Sequence, residues 1–258
     1  MTHRMSLPWW AYPVLFLVGL VAGLVDAVAG GGGIITVPVL LNLGLPVPVA
    51  LGTNKLQASF GSVVAARHYL RSGLVDLRTC GYGIVMTLVG ALAGAATVHL
   101  VDNALLEALI PWMLAAIVIY TILRPQVGVQ DRPPRLSNRT FFTCFGLGLG
   151  FYDGFFGPGT GSFWTIALVV LLGCNFARAT GVTKVMNATS NLAALAFFLA
   201  AGQVNYTAGL VMGAGQVVGA RLGSGLVVRK GARFVRPIFL TMVVLVMLRL
   251  LWVAHRGP

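Results

Sequence analysis

Residues 26–33 read Asp-Ala-Val-Ala-Gly-Gly-Gly-Gly and separate two apolar runs, residues 8–25 and 34–45. Four consecutive glycines do not continue a helix, because glycine loses more backbone freedom on ordering than any other residue. The flanking runs are nevertheless hydrophobic enough to enter a bilayer. Backbone that leaves the helical ladder at membrane depth must be shielded by protein or must line a wet cavity. The stretch therefore predicts a broken membrane helix.

A second break follows 127 residues later, where residues 153–161 read Asp-Gly-Phe-Phe-Gly-Pro-Gly-Thr-Gly. Its aspartate and two of its glycines align with the first break: Asp26 with Asp153, Gly30 with Gly157 and Gly32 with Gly159. Interrupted apolar segments at corresponding positions of two halves are typical of transporter binding sites.

The composition indicates an integral membrane protein. Of the 258 residues, 57% are hydrophobic and only 9% are charged, and the mean hydropathy is +0.88. Soluble domains carry about 25% charged residues. We therefore predict an all-α polytopic membrane protein with 8–10 membrane segments. The number stays open because several apolar runs are shorter than the roughly 20 residues of a full span.

Few motifs point to other classes of function. The three cysteines are widely spaced, and no metal-ligand, cofactor or nucleophile motif accompanies them. The net charge of +12 has a simple explanation in basic cytoplasmic loops, and no nucleic-acid motif is present. We expect no enzyme activity, no catalytic residue, no cofactor, no metal and no nucleic-acid partner.

The repeat extends beyond the glycines. With the offset changed to 129 residues, further positions align: Gly52 with Gly181, Lys55 with Lys184 and Gly90 with Gly219. We divide the chain into a first membrane repeat (residues 8–123), a cytoplasmic linker (124–137) and a second membrane repeat (138–253). Together they form one integral membrane domain.

Charge indicates how the repeats are oriented. The loop at residues 71–78 is basic, whereas its counterpart at residues 202–206 has no basic residue. The loop at residues 102–103 has none, whereas its counterpart at residues 229–236 is basic. Cytoplasmic loops are enriched in Lys and Arg, so equivalent loops lie on opposite sides of the membrane. The prediction is an inverted-topology repeat.

Two lysines inside apolar sequence are the candidate centre of an anion site. Lys55 and Lys184 occupy the same repeat position, and a charge at membrane depth is costly. The candidate neutral donors around them are Thr53, Asn54, Gln57, Thr183, Asn187 and Asn191. The helix starts after the breaks add backbone N–H groups at Gly31, Gly32, Gly33, Gly159 and Gly161. The alternative is that both lysines snorkel to the headgroups.

Two of the six acidic residues, Asp26 and Asp153, begin the breaks. They could carry a proton coupled to transport, as intramembrane carboxylates often do. They could instead be structural, capping the glycine N–H groups or pairing with a lysine. Both interpretations stay open at this point.

Three stretches together resemble the TauE/SafE family of sulfite exporter-type membrane permeases. They are residues 21–57, which end in Gly-Thr-Asn-Lys-Leu-Gln, residues 150–159 (Gly-Phe-Tyr-Asp-Gly-Phe-Phe-Gly-Pro-Gly) and residues 184–191. The resemblance covers most of the chain and both halves. It implies a multi-pass transporter of the bacterial inner membrane, in a family whose members are linked to export of sulfite, sulfoacetate and other organosulfur anions.

The function expected is therefore secondary transport, as export, of a small anion such as sulfite or an organosulfonate, with proton coupling as a hypothesis. The alternatives are an uncoupled, channel-like anion permease and an intramembrane enzyme or scaffold. The expected partners are the anionic substrate and the lipid bilayer, and homo-oligomerisation stays open.

Overall fold

The computed structural model describes residues 7–98 and 130–231. All regular structure in these residues is helical, which confirms the all-α prediction. The helices are α1 (Ala11–Ala29), α2 (Gly32–Asn42), α3 (Val47–Arg71), α4 (Leu77–Val98), α5 (Asn138–Phe141), α6 (Leu147–Phe155), α7 (Thr160–Leu171), α8 (Phe176–Ala200) and α9 (Tyr206–Lys230). A π-helical segment, Phe142–Gly146, joins α5 to α6.

The helices differ in whether their length and hydrophobicity would allow them to cross a membrane. Within the described residues, α1, α4 and α9 are both long and apolar enough to cross a bilayer. Helices α3 and α8 are each 25 residues long, but polar side chains interrupt their apolar sequence. Helices α2 and α7 have 11 and 12 residues, so at ~1.5 Å per residue they span only part of a bilayer. The fold is that of a polytopic membrane protein with half-length helices after each break.

The described residues show the same helix order twice. A helix, a break and a half-length helix are followed by two long helices: α1 to α4 in the first half, and α5–α6 to α9 in the second. Lys55 and Lys184 are each the ninth residue of a 25-residue helix, α3 and α8 respectively. Equivalent sequence positions therefore have equivalent places in the helices.

The two halves interlock through their first and last described helices. Helix α1 packs on α9, and α4 packs on the α5–α6 segment. Gly90 lies against the backbone of Leu147, and Gly219 lies against the backbone of Leu20. Gly90 and Gly219 are equivalent in the repeat, and so are Leu20 and Leu147. The two contacts are therefore equivalent, with the two halves exchanged. Small residues let the helices approach to backbone contact, as is common in membrane helix packing.

Contact positions also show the relative directions of the helices. Helix α1 runs parallel to α9, because Gly19 meets Met212 and Gly23 meets Gln216. Helix α3 runs antiparallel to α8: Gly52 near the start of α3 meets Phe198 near the end of α8, and Gly181 near the start of α8 meets Tyr69. The equivalent helices α3 and α8 thus have opposite directions. An inverted repeat requires this arrangement, and the orientation of the halves in a membrane stays a prediction.

The helix directions bring the described arginines together at one end of the bundle. Helices α3 and α9 end there, while α4, α5 and α8 begin there. The basic residues at this end are Arg67, Arg71, Arg78, Arg132, Arg135, Arg139, Arg178, Arg221, Arg229 and Lys230. At the opposite end, Trp9, Trp10 and Tyr206 are exposed, as aromatic side chains at a membrane interface are.

Some predictions concern residues outside the described ranges. These are the end of the first repeat (residues 99–123), the first part of the linker (124–129), the end of the second repeat (232–253) and, within these stretches, the loop at residues 102–103 and most of the basic loop at residues 229–236. The repeat boundaries and the cytoplasmic side of the linker therefore stay predictions. The described part of the linker, residues 130–137, packs on the turn between α7 and α8, where the Arg132 N–H donates to the Gly173 carbonyl at 2.7 Å.

Candidate functional site

The two helix breaks meet in the middle of the bundle. A Cβ atom added to Gly161 would lie 2.8 Å from the Gly30 Cα atom, so only hydrogen fits between the two backbones. The Ser162 hydroxyl donates to the Gly30 carbonyl at 2.7 Å. Gly30 has φ +69°, a value that side chains rarely tolerate. Glycine at these positions therefore allows the two halves to come into backbone contact.

The first break is held by Asp26. Its Oδ1 atom accepts the N–H groups of Gly31 at 3.0 Å and Gly32 at 3.2 Å. Its Oδ2 atom accepts from the Lys184 ammonium at 2.9 Å, across 158 residues of sequence. The carboxylate thus caps the start of α2 and pairs with the lysine of the other half. Both structural interpretations of Asp26 are present in the geometry.

The second break holds its aspartate differently. The Lys55 ammonium lies 2.7 Å from Asp153 Oδ1 and also donates to the Asp153 main-chain carbonyl and to Asn191 Oδ1, the latter at 3.3 Å. The other carboxylate oxygen, Oδ2, accepts the hydroxyl of Ser190. Asp153 therefore has an ammonium on one oxygen and a hydroxyl on the other.

Both ion pairs cross between the halves, and in each pair the lysine is buried. The side chains of Lys55 and Lys184 are 1% and 0% exposed, and both lysines lie well inside their helices. Their ammonium groups pair with carboxylates inside the bundle, an arrangement that argues against snorkelling. A buried charge without a partner costs several kcal/mol, so each lysine requires its carboxylate. The two ammonium and two carboxylate groups together carry no net charge.

A polar cavity lies between the breaks. Backbone from the breaks forms part of its wall, and side chains from α1, α3, α6, α8 and α9 form the rest. The lining residues are Asp26, Gly31, Gly32, Gly33, Asn54, Ala58, Asp153, Gly157, Gly159, Gly161, Asn187, Asn191 and Gln216. The two carboxylates thus face the cavity, and each lysine lies behind the carboxylate with which it pairs.

The structure brings most of the predicted site residues to this cavity. Both aspartates, the five glycines, Asn54, Asn187 and Asn191 line it. The two lysines, Lys55 and Lys184, do not line it themselves, and neither do Thr53, Gln57 and Thr183. Thr53 Oγ1 accepts the N–H of Asn205 at 2.9 Å, and Thr183 Oγ1 lies 3.1 Å from Thr165 Oγ1. The Gln57 amide donates to Asn54 Oδ1 at 2.7 Å and so orients that side chain. These three residues support helices and neighbours rather than the cavity.

Sequence reasoning missed two polar side chains at the site. Gln216 lies in the small-residue stretch of α9, which is readily interpreted as packing alone. Ser190 on α8 contacts Asp153 directly. A signal for Gln216 was available, because its repeat equivalent is Thr87, another buried polar residue among apolar neighbours. Ser190 has Gly61 as its equivalent, so the repeat could not reveal it.

Two amides at the cavity wall have unused hydrogen-bonding capacity. Within residues 7–98 and 130–231, Asn187 Oδ1 and Gln216 Oε1 are buried without a hydrogen-bond partner. Buried polar atoms are normally satisfied, so such atoms beside a cavity suggest a ligand or water. An amide can rotate to present either its NH₂ group or its oxygen. The wall therefore offers two acceptor oxygens, or NH₂ donors to an anion once the amides rotate.

Metal binding has no obvious basis in the described residues. No group of three or more His, Cys, Asp or Glu side chains there is placed to hold a metal ion. The polar groups that surround the cavity are carboxylates, ammonium groups, amides and backbone. Groups of this kind form charge-assisted hydrogen bonds with small polar ligands.

Comparison with known proteins gives a consistent result. The family model described as "Sulfite exporter TauE/SafE" matches residues 15–250. A Haemophilus influenzae protein named "Probable membrane transporter protein" is 44% identical over 229 residues, which cover 89% of this chain and 90% of that protein. The Escherichia coli K12 "Probable membrane transporter protein YfcA" is 41% identical over 242 residues, 94% of this chain and 90% of that protein.

A more distant relative extends the match to another bacterial lineage. The Bacillus subtilis "Probable membrane transporter protein YdhB" is 26% identical over 236 residues, which cover 87% of this chain and 94% of that protein. No solved structure matches the chain.

Proposed function

The chain belongs to the sulfite exporter TauE/SafE family of membrane transporters, and from this premise we propose that it exports a small anion through the cavity between the two breaks. The observation that carries the proposal is the pair of buried lysines. Each half contributes one lysine, and each lysine lies behind a carboxylate at the cavity wall. A small anion is the ligand class that two ammonium groups and several amide donors suit best.

The charge balance of the site supports proton coupling. The two ion pairs are neutral together, so an anion that enters alone would add an uncompensated charge to a buried site. Such a charge is strongly unfavourable away from water. If one carboxylate takes a proton, its lysine becomes an uncompensated positive charge, and a bound anion of charge −1, such as hydrogensulfite or an organosulfonate, restores neutrality. Anion and proton would then bind together, and export would carry the proton outward with the anion, driven by the outward gradient of the anion.

The substrate class rests on the description of the matching family, sulfite exporter TauE/SafE. We propose sulfite or a small organosulfonate, whose oxygens could accept from the Lys55 ammonium, the wall amides and the glycine N–H groups. Gly159 lines the cavity without a Cβ atom and so permits close approach of the ligand to backbone, whereas the missing Cβ at Gly161 accommodates the backbone of Gly30.

The arrangement of the halves suggests how the site opens. We propose that they are inverted-topology repeats that move against each other around the fixed cavity, as in other secondary transporters. We place the basic end of the bundle in the cytoplasm of a bacterium, with the protein in the inner membrane. Helix α3 and its equivalent α8 run antiparallel, in agreement with this proposal.

Cysteine labelling tests the orientation. Arg78→Cys and Gln203→Cys, in a background without Cys80, Cys144 and Cys174, should react oppositely with an impermeant thiol reagent in intact cells. Position 203 should be labelled and position 78 protected. Equal labelling at both positions would overturn the proposed inversion. The three native cysteines are removed so that they give no background signal.

The lysines test the anion site. Lys55→Gln and Lys184→Gln should each weaken sulfite binding to the purified protein about tenfold or more, because a hydrogen bond to a charged group contributes about 1.5–3 kcal/mol. The same substitution at exposed Lys230 serves as the matched control. Calorimetric affinities unchanged in both variants would contradict the site.

Flux in proteoliposomes separates the remaining possibilities. With purified protein and an imposed pH gradient, coupled export predicts that sulfonate movement is driven by the gradient and accompanied by proton movement. Anion flux without proton movement would indicate a channel-like permease. Absence of anion flux from folded protein would favour an enzyme or scaffold.

A further inference from the structure

Resting on the proton coupling proposed above, we infer that Asp153 takes up and releases the proton, whereas Asp26 stays ionised as the fixed anchor of the first break. The two carboxylates have equivalent positions in the repeat and both line the cavity. They differ in the chemistry of the groups that contact them, and this difference assigns the roles.

Asp26 is contacted by groups that can only donate. Its three partners are the N–H groups of Gly31 and Gly32 and the ammonium of Lys184. None of them has a lone pair to accept a hydrogen bond from a protonated carboxyl. A proton on Asp26 would therefore have no acceptor among these partners, and it would weaken the cap of α2. Among its described partners, only the ionised form of Asp26 has all of its hydrogen bonds satisfied.

Asp153 is contacted by a group that can reverse its role. The Ser190 hydroxyl donates to Oδ2 in the structure, and a hydroxyl can also accept. After reversal, the carboxylic acid proton on Oδ2 would point to Ser190 Oγ. The serine proton then has other acceptors, because the carbonyls of Met186 and Asn187 lie 3.1 and 3.3 Å from Oγ. Both protonation states of Asp153 are thus satisfied without backbone movement.

Two substitutions between the halves produce this difference. Pro158 is the repeat equivalent of Gly31, and proline has no N–H, so Asp153 cannot be capped as Asp26 is. Ser190 is the equivalent of Gly61, where the Gln216 side chain occupies the space that a Cβ atom would need. The second half thus lacks a backbone donor and has gained a hydroxyl.

Lys55 is prepared for the loss of its counter-charge. Besides Asp153 Oδ1, its ammonium donates to the Asp153 main-chain carbonyl and to Asn191 Oδ1. When a hydronium ion delivers its proton to the Asp153 carboxylate, water and a carboxylic acid result and the pair changes from neutral to +1. Two oxygen partners still hold the ammonium, and its third N–H can turn to an anion in the cavity. In contrast, Lys184 has one acceptor among the described hydrogen bonds, Asp26 Oδ2.

The charged and titratable groups around Asp153 are few in the described residues. Lys55 comes from α3, and Tyr152 is its neighbour in α6, with its hydroxyl turned to the Pro158 carbonyl at 2.9 Å. Asp26 lines the same cavity with Lys184 behind it. Helix α4 packs on α6 through small residues such as Gly90 and Gly94. Of the two carboxylates that line the cavity, Asp153 is therefore the one with a described partner, the Ser190 hydroxyl, that can accept from its protonated form.

Infrared difference spectroscopy tests the assignment without any ligand. Spectra of the purified full-length protein at pH 8 and pH 5 should differ by a protonated-carboxyl band. The chain has only six acidic residues, which makes single assignments practical. We expect Asp153→Asn to lose a band that Asp26→Asn retains. A band that survives in Asp153→Asn, or a wild-type protein without a buried carboxyl that titrates, would overturn the inference.

A second variant keeps the test independent of folding defects. Ser190→Ala removes the acceptor of the protonated carboxyl and should shift the frequency of the same band. Ser224→Ala is the matched control, since Ser224 is buried on α9 and bonds the Ala220 carbonyl in the same way without contacting the cavity. An unshifted band in Ser190→Ala would contradict the role of the hydroxyl.

Sulfite flux in the same preparations separates this inference from the proposed function. If wild-type protein transports sulfite but the band belongs to Asp26, the assignment is wrong and the anion transporter stands. If wild-type protein transports no sulfite or sulfonate, the proposed function fails regardless of which carboxyl titrates. A proton-dependent flux that becomes independent of pH in Asp153→Asn would support both.

Discussion

The two helix breaks occupy equivalent positions, yet they hold their carboxylates in different ways. At the first break, Asp26 accepts two backbone N–H groups and an ammonium. At the second, Asp153 accepts an ammonium and a hydroxyl, and Pro158 takes the place of a glycine that would supply an N–H. The comparison teaches that a repeat can supply a symmetric frame while single substitutions assign different chemistry to its two halves.

The largest expected effect is the loss of stability when either aspartate is removed. Asp26→Ala should destabilise the protein by about 3–5 kcal/mol, because it leaves Lys184 buried without its carboxylate and uncaps α2. Asp153→Ala should cost less, because Lys55 retains Asn191 as an oxygen partner as well as the main-chain carbonyl of residue 153. Unfolding followed in detergent measures both.

The charge-neutral double variant provides the control. Lys184→Met combined with Asp26→Ala should recover part of the loss, because no unpaired charge remains. Equal destabilisation by Asp26→Ala and Asp153→Ala would contradict the proposed difference between the two breaks.

The contact between the breaks gives the next effect. Gly30→Ala should destabilise by about 3 kcal/mol, because φ is +69° and the new Cβ atom would meet the backbone of Gly161 and Ser162. Gly44→Ala is the matched control, with φ +83° and no atom within 4 Å of the added Cβ, and should cost only about 1 kcal/mol. Thermal unfolding and sulfite flux measure the two variants, and equal losses would show that the contact contributes nothing beyond backbone strain.

The two lysines should contribute differently to the affinity for the anion. Of the two substitutions proposed above, Lys55→Gln should weaken sulfite binding more than Lys184→Gln, because a proton on Asp153 frees Lys55 while Asp26 keeps Lys184 neutralised. We expect the dissociation constant for sulfite to be about tenfold higher in Lys55→Gln than in Lys184→Gln, which corresponds to about 1.4 kcal/mol. Calorimetry at pH 5 measures it. A larger effect at Lys184 would reverse the roles of the two breaks.

The smallest effect should come from making the second break more like the first. Pro158→Ala introduces a backbone N–H at the position equivalent to Gly31, and a hydrogen bond to Asp153 would favour the carboxylate by about 1 kcal/mol. The protonated-carboxyl band at pH 5 should weaken. Pro38→Ala, which restores an N–H within α2, is the control and should leave the band unchanged. A stronger band in Pro158→Ala would contradict the comparison.

Several features could be predicted from the sequence because they depend on local order. The glycine runs predicted the breaks, since no helix interior accommodates them, and composition predicted an all-helical membrane protein. The repeat offsets placed Lys55 and Lys184 at equivalent positions, and these are the ninth residues of two 25-residue helices. Family membership followed from the same stretches.

Only the tertiary structure decided which groups meet. From the sequence, the role of Asp26 and Asp153 stayed undecided between capping, pairing with a lysine and proton transfer. The sequence also placed Thr53, Gln57 and Thr183 among the ligands, although they do not line the cavity. The ion pairs join residues 158 and 98 positions apart, across the two halves. Periodicity and spacing describe one helix at a time, whereas such contacts depend on which helices pack and in which directions. The antiparallel course of α3 and α8 puts each lysine beside the aspartate of the opposite half.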